Sequence, residues 1–217
     1  MKTEDLIVQL AQKARPVTPL APPVARLAAW TVGAVIFVVL GVAVIGIRVD
    51  GWAKLQQARY LVELLLTIAI GILAAAAALV LGIPAAERTR LQRWLPLVAA
   101  GAWAGLLGRD VLLGGSVAAR LLQLPIHLAC ILEIAGLAIL PGLILFGMLR
   151  RSAPLRLEWA AGLSGLAALA VAAAGTQLIC PVDDPAHLFI GHFIPVAGLA
   201  IVGAVLGRRR LNWLASS

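Results

Sequence analysis

Five side chains in this sequence have the chemistry of soft nucleophiles or metal ligands: Cys130 and Cys180, with His127, His187 and His192. They are all of its cysteines and histidines. His127, Cys130 and Glu133 are spaced by three, which spreads them over an arc of about 120° on one helix face. The run Cys-Pro-Val-Asp-Asp-Pro-Ala-His (180–187) sets Asp183 and Asp184 between the second thiol and His187. No CxxC or HxxxH spacing is present, so any shared chemistry depends on the fold bringing distant segments together. Three readings stand side by side. Cys130 and Cys180 can form a structural disulfide in an oxidising compartment. Thiolates and imidazoles together can form a redox- or soft-metal-sensing centre, with His127, Cys130, Cys180, His187 and His192 as candidate metal ligands. Alternatively, the thiols pack as small hydrophobes and the histidines are merely satisfied. No nucleophile has a positioned base and no nucleotide-binding loop occurs, so no catalytic residue is assigned and no enzyme activity is expected.

The elements that must position these groups are apolar helices. The chain has 217 residues, of which 62% are hydrophobic and 13% charged, against about half and a quarter in soluble domains. Six long apolar stretches can be marked, at about the 20 residues that one bilayer crossing needs. They run Leu27–Ile47, Tyr60–Ile83, Leu95–Leu113, Leu121–Leu149, Trp159–Ile179 and Leu188–Leu206. The third is the weakest, because Arg109 and Asp110 interrupt its far end. The expected fold class is all-α: a polytopic membrane protein of six transmembrane helices. Ala, Gly and Leu dominate the spans, which suits close approach of helices through small residues.

Charge sets the orientation. The net charge of +8 comes from 18 Lys and Arg against 10 Asp and Glu. Thirteen of the cations fall on the side of the two termini, and five (Arg48, Lys54, Arg59, Arg109 and Arg120) on the other. The positive-inside rule then predicts a bacterial inner-membrane protein with both termini in the cytoplasm. All five Cys and His residues fall in the outer third. Glu133 lies deepest, where an ionised carboxylate costs about 2.5–3.5 kcal/mol on insertion scales. It is expected to be protonated, part of a site, or paired, with Arg109 and Arg120 as candidate partners.

Residues 3–15 read as a short amphipathic helix with Glu4 and Asp5 in its first turn, where the helix dipole favours acids. Leu6, Ile7, Leu10, Ala11 and Ala14 share one face. A helix this short is marginal alone in water, so it needs a surface or a partner. The Pro-rich run 15–23 then forms a stiff spacer. The domain reading is a cytoplasmic segment over 1–23, a six-helix domain over 24–207 and a cytoplasmic tail over 208–217. The opening is acidic and has no convincing cleavage site, so a removed signal peptide is not expected.

The run Met-Lys-Thr-Glu-Asp-Leu-Ile-Val-Gln-Leu-Ala (1–11), with Pro16-Val17 and then Leu20-Ala-Pro-Pro-Val-Ala-Arg26, resembles the opening of the NrsF family. These are six-span negative regulators of sigma F, an extracytoplasmic-function sigma factor. The six spans and the two cysteines, in the fourth span and before the last loop, extend the resemblance along the chain. It implies a membrane anti-sigma factor, with Asp5, Leu6, Ile7 and Leu10 binding the sigma factor. It also implies sensing of metal or oxidative stress by Cys130 and Cys180. The implied partners are that sigma factor and the bilayer, with no direct nucleic acid, and no cofactor beyond a transient heavy-metal ion. In this scheme, reaction at the thiols draws the fourth and fifth spans together. The rival reading is a small metal or proton transporter or channel using Glu63, Arg109, Asp110, His127 and Glu133. A haem carrier is a weaker third, because all three histidines sit on one side.

Overall fold

The computed structural model describes residues 3–13, 19–83, 90–113, 124–152 and 154–210, and all regular structure among them is helical. Six helices are long and apolar enough to cross a membrane. In chain order the elements are α1 (Thr3–Lys13), α2 (Pro23–Ile45), α3 (Gly51–Leu55) and α4 (Ala58–Leu81), followed by α5 (Arg90–Leu113) and α6 (Leu124–Arg150). They end with α7 (Leu157–Ile179), α8 (Pro185–His187), a π-helical segment (Leu188–Phe193) and α9 (Ile194–Arg210). The chain is a polytopic all-α bundle. α2 begins at Pro23, four residues before the apolar run itself, because Pro is well suited to the first helical turn, where its missing N–H costs nothing.

The fifth crossing, α7, is the axis of the bundle. Sixteen of its 23 residues are buried, mostly Ala, Leu and Gly, and α4, α9, α6 and α2 all pack on it. A helix that is apolar all round belongs in the middle of a bundle, and alanines let four neighbours approach it at once. The contact with α4 is close enough that a Cβ on Gly71 would collide with Val171 and stand 3.2 Å from the Ala167 carbonyl.

The first crossing, α2, is peripheral. It buries Arg26, Trp30, Ala34, Val38 and Val42, one residue in every four, and turns the rest outward. That single stripe lies along α6 and α7, with polar anchors near both ends. Near its start, Arg26 Nη2 donates to the Met148 carbonyl at 2.6 Å and to Ser152 Oγ at 3.0 Å. Trp30 Nε1 donates to the Pro141 carbonyl at 2.9 Å. Past its other end, the Arg48 N–H donates to the Leu178 carbonyl at 3.0 Å.

The third crossing, α5, has the lowest hydropathy of the six. It leans on α4 and on the α8–π segment, with Trp103 packed edge-on against Phe193 at 5.3 Å. The Asp110 carboxylate that weakens this span is ion-paired with Arg59, which also holds buried Glu63 at i+4.

Candidate thiol and imidazole site

At the end of the bundle where α6 begins and α7 ends, three segments converge. His127 and Cys130 lie one turn apart in the first turns of α6 and are both buried. Cys180 follows the last residue of α7. Its backbone is extended (φ −66°, ψ 122°), while its N–H still donates to the Thr176 carbonyl at 2.8 Å. The loop then restarts as a helix at Asp184, whose carboxylate accepts the Ala186 and His187 N–H groups at 2.9 and 3.2 Å. Pro185 takes the first helical position. This cap directs His187 inward.

His192 is brought to the same place by the π-helical segment. With 3.6 residues per turn, a residue five positions on is rotated by about 140°. The i→i+5 bonding of a π turn widens the helix and brings such residues nearly into line. Residues 188–193 adopt that geometry, and the His187 and His192 rings meet edge-on at 5.5 Å. Gly191 provides the room, since a Cβ there would stand 3.3 Å from His187 Cε1 and 3.4 Å from His127 Nδ1.

The donor atoms are close. The two sulfurs stand 3.5 Å apart as free thiols. His187 Nε2 is 3.4 Å from Cys130 Sγ and 3.3 Å from Cys180 Sγ. On its other side, His187 Nδ1 meets His127 Nδ1 at 2.9 Å, with the two rings stacked at 4.8 Å. One ligand atom from each of Cys130, Cys180, His187 and His192 fits within 4.8 Å of the others, and all four residues are buried. His192 is fully buried, and neither of its ring nitrogens meets a hydrogen-bond partner among the described residues.

A second polar cluster borders the first. The buried Arg48 guanidinium donates through Nη1 to the Cys180 carbonyl at 2.8 Å and to Asp183 Oδ1 at 2.7 Å. Its Nη2 donates to Asp183 Oδ2 at 2.8 Å, and its Nε to Asp50 Oδ1 at 2.7 Å. Lys54 Nζ adds 2.6 Å to Asp183, and the Tyr60 hydroxyl donates to the Gln177 carbonyl at 2.7 Å. Hydrogen bonds donated to Asp183 and then to Asp50 push the Arg48 pKa above its ordinary value. Partial burial alone would raise the Asp183 carboxyl, but the bonds from Arg48 and Lys54 outweigh it and hold the group below the usual carboxylate range. Arg48 thereby ties the loop carrying Cys180 to the end of α2.

All five thiol and imidazole residues read from the sequence therefore meet in one cluster. Three expectations change. Glu133 does not pair with Arg109, whose side chain is exposed, and Arg120 lies outside the described residues. Glu133 Oε2 is buried without a hydrogen-bond partner among the described residues. The thiols also need no movement of spans to meet, because α6 and α7 already pack together and hold them adjacent. Glu63 and Asp110 are tied to Arg59 instead of lining a route with His127, which faces His187. A cavity of about 360 Å³ is lined by Ile70, Leu97, Trp103, Leu163 and Phe193 among others and is almost wholly apolar. The local sequence does not reveal what Arg48 and Gly191 do here, nor the π turn. The Asp-Pro at 184–185, a cap followed by a first-turn proline, was the one signal that the loop re-enters a helix.

At the opposite end of the chain, α1 carries Glu4 and Asp5 in its first turn. Asp5, Ile7 and Val8 are exposed, while the side chains of Leu6 and Leu10 lie outside what is described.

No curated protein and no solved structure matches the chain. The family model described as negative regulator of sigma F matches residues 10–213. A match over nearly the whole length makes the chain, a six-span bundle, a member of the NrsF family of negative regulators of sigma F.

Proposed function

We propose that the chain is a membrane anti-sigma factor that holds an extracytoplasmic-function sigma factor at the cytoplasmic face of the bacterial inner membrane. It releases the factor when Cys130 and Cys180 react under metal or oxidative stress. The sigma factor is held by the N-terminal segment, with Asp5, Leu6, Ile7 and Leu10 on its binding helix. The observation that carries this reading is the thiol pair: two free, buried sulfurs from separate spans at 3.5 Å, with a histidine nitrogen within 3.4 Å of each. The excess of cations on the terminal side supports cytoplasmic termini, which puts the thiols outside and the N-terminal helix within reach of a cytoplasmic partner.

A switch needs a signal that favours one of two states, and a route between the site and the output. α2 is that route. At one end Arg48 binds the Cys180 carbonyl. At the other, Arg26 and Trp30 are bonded to α6 and the short segment after it, and residues 1–22 lead directly into the helix. A change in the Cys180 loop pulls on Arg48 and shifts α2 against α6.

The test is target transcription in cells carrying the double variant Cys130→Ser, Cys180→Ser, exposed to cadmium or to a thiol oxidant. Uninducible, constitutively low transcription is expected. Normal induction by both treatments overturns the sensing role. Co-purification of the sigma factor, with and without residues 1–23, checks the binding role separately.

A further inference from the structure

Resting on that reading, we propose that Cys130, Cys180, His187 and His192 form one four-donor site for a borderline-soft divalent cation of the zinc and cadmium class. His127 is the positioning residue that orients His187.

The distances carry the inference. Zinc–sulfur bonds of about 2.3 Å and zinc–nitrogen bonds of about 2.0–2.1 Å put donors about 3.3–3.8 Å apart around a tetrahedron. The Sγ–Sγ separation is 3.5 Å, and the two Sγ–Nε2 separations are 3.4 and 3.3 Å. Three donors thus already stand at tetrahedral separations before any ion is considered. The fourth, from His192, is within 4.8 Å of the others and needs a shift of about 1 Å to match that spacing.

Orphaned chemistry points the same way. A buried polar group without a partner is costly, and at 0% exposure neither ring nitrogen of His192 meets a hydrogen-bond partner among the described residues. The π turn that brings it there is an irregularity of the kind that recurs at functional sites. Ligation of one nitrogen removes part of that penalty. A disulfide alone leaves it in place.

The charge also closes. When a divalent cation enters, each thiol gives up its proton to solvent and its sulfur lone pair to the metal, while the imidazoles bind neutral. Two thiolates and a 2+ ion sum to zero, which a buried, low-dielectric site tolerates where a bare charge is costly. Metal-bound imidazoles characteristically direct their second nitrogen to a hydrogen-bond partner that fixes the tautomer. His187 Nδ1 stands 2.9 Å from His127 Nδ1, so in the metal-bound tautomer its Nδ1–H would donate there and leave the Nε2 lone pair between the two sulfurs.

The experiment is titration of the full, reduced protein in detergent with Co²⁺, followed by competition with Zn²⁺ and Cd²⁺. One equivalent of Co²⁺ is expected to give the strong visible bands of a tetrahedral two-sulfur, two-nitrogen site, displaced by one equivalent of either other ion. His192→Ala and His187→Ala should each weaken binding more than tenfold and change the spectrum. His192→Cys, which restores a donor, should recover affinity with a new thiolate band. His127→Ala should weaken binding by about 10–100-fold without changing the donor signature. Unchanged affinity and spectrum in both His187→Ala and His192→Ala overturn the four-donor site and leave thiol sensing standing. A wild-type protein that binds none of the three ions overturns it as well. Thiol sensing itself falls only if the double cysteine variant remains inducible. Affinity that His192→Cys fails to restore, in a variant whose metal-free thermal unfolding matches wild type, also counts against His192 as a ligand.

Discussion

Two polar clusters meet at the same end of the bundle and are built in opposite ways. Around Arg48 the groups answer one another: a buried cation faces Asp183, Asp50 and the Cys180 carbonyl, and Lys54 joins on Asp183. Around Cys130 the groups repeat one another. Two thiols and three imidazoles crowd together, and neither ring nitrogen of His192 meets a hydrogen-bond partner among the described residues. A saturated cluster is a fastening. A cluster of like donors, one of them unspent, is what the proposed cation site requires. The saturated one grips the loop that carries half of the other, and in this way the site gains a handle on α2.

The largest expected effect is on the saturated side. Arg48→Met should lower the unfolding midpoint in detergent most. Losing one partner of a buried pair costs about 3–5 kcal/mol, and the half-exposed Asp183 brings the figure to the low end. It should also uncouple the thiols from transcription, leaving metal binding while abolishing induction. The unsaturated side should respond in the opposite direction. His192→Leu removes two unmet polar atoms and should leave metal-free stability unchanged or raise it by about 1 kcal/mol, while destroying metal affinity. Equal destabilisation by the two variants erases the contrast between the clusters.

The sequence made some of this visible and concealed the rest for physical reasons. The six spans were legible because each needs only length and hydropathy, and their ends fall within a few residues of the observed helices. The meeting of Cys130, Cys180, His127, His187 and His192 was legible as a shared location, since alternating crossings put all five at one end. Their alignment was not. A 3.6-residue repeat puts His187 and His192 on different faces, and only the π turn reconciles them. Arg48 was counted as an orientation charge, because nothing local reveals that its guanidinium reaches 135 positions along the chain to Asp183. For Glu133, depth alone leaves protonation, pairing and membership of a site open, and of its two candidate arginine partners Arg109 is turned outward.

Smaller effects sharpen the contrast further. Gly191→Ala presses a methyl on His187 and His127, with gaps of 3.3 and 3.4 Å to accommodate it. It should cost about 1 kcal/mol in stability and shift Co²⁺ affinity, measured in one titration, whereas an Ala at exposed Gly198 should do neither. The pH response separates the clusters too. The Asp183 pKa is depressed in the folded state, so its contribution to stability is present above the ordinary carboxylate pKa and is lost as pH falls through the depressed value. With Arg48 shifted upward, the fastening should hold constant from about pH 5 to 8 and loosen only below about pH 4. Thermal unfolding across that range checks it. The smallest structural effect is expected at the far end. Ile7→Ser with Leu10→Ser should leave bundle stability unchanged while eliminating sigma co-purification.

The most direct measurement is retention of the sigma factor on the immobilised full-length protein before and after cadmium, in wild type and in the Cys130→Ser, Cys180→Ser variant. Release from wild type, with full retention on the variant, is the predicted result. Equal retention, or equal release, in the two proteins contradicts a thiol-controlled anti-sigma factor.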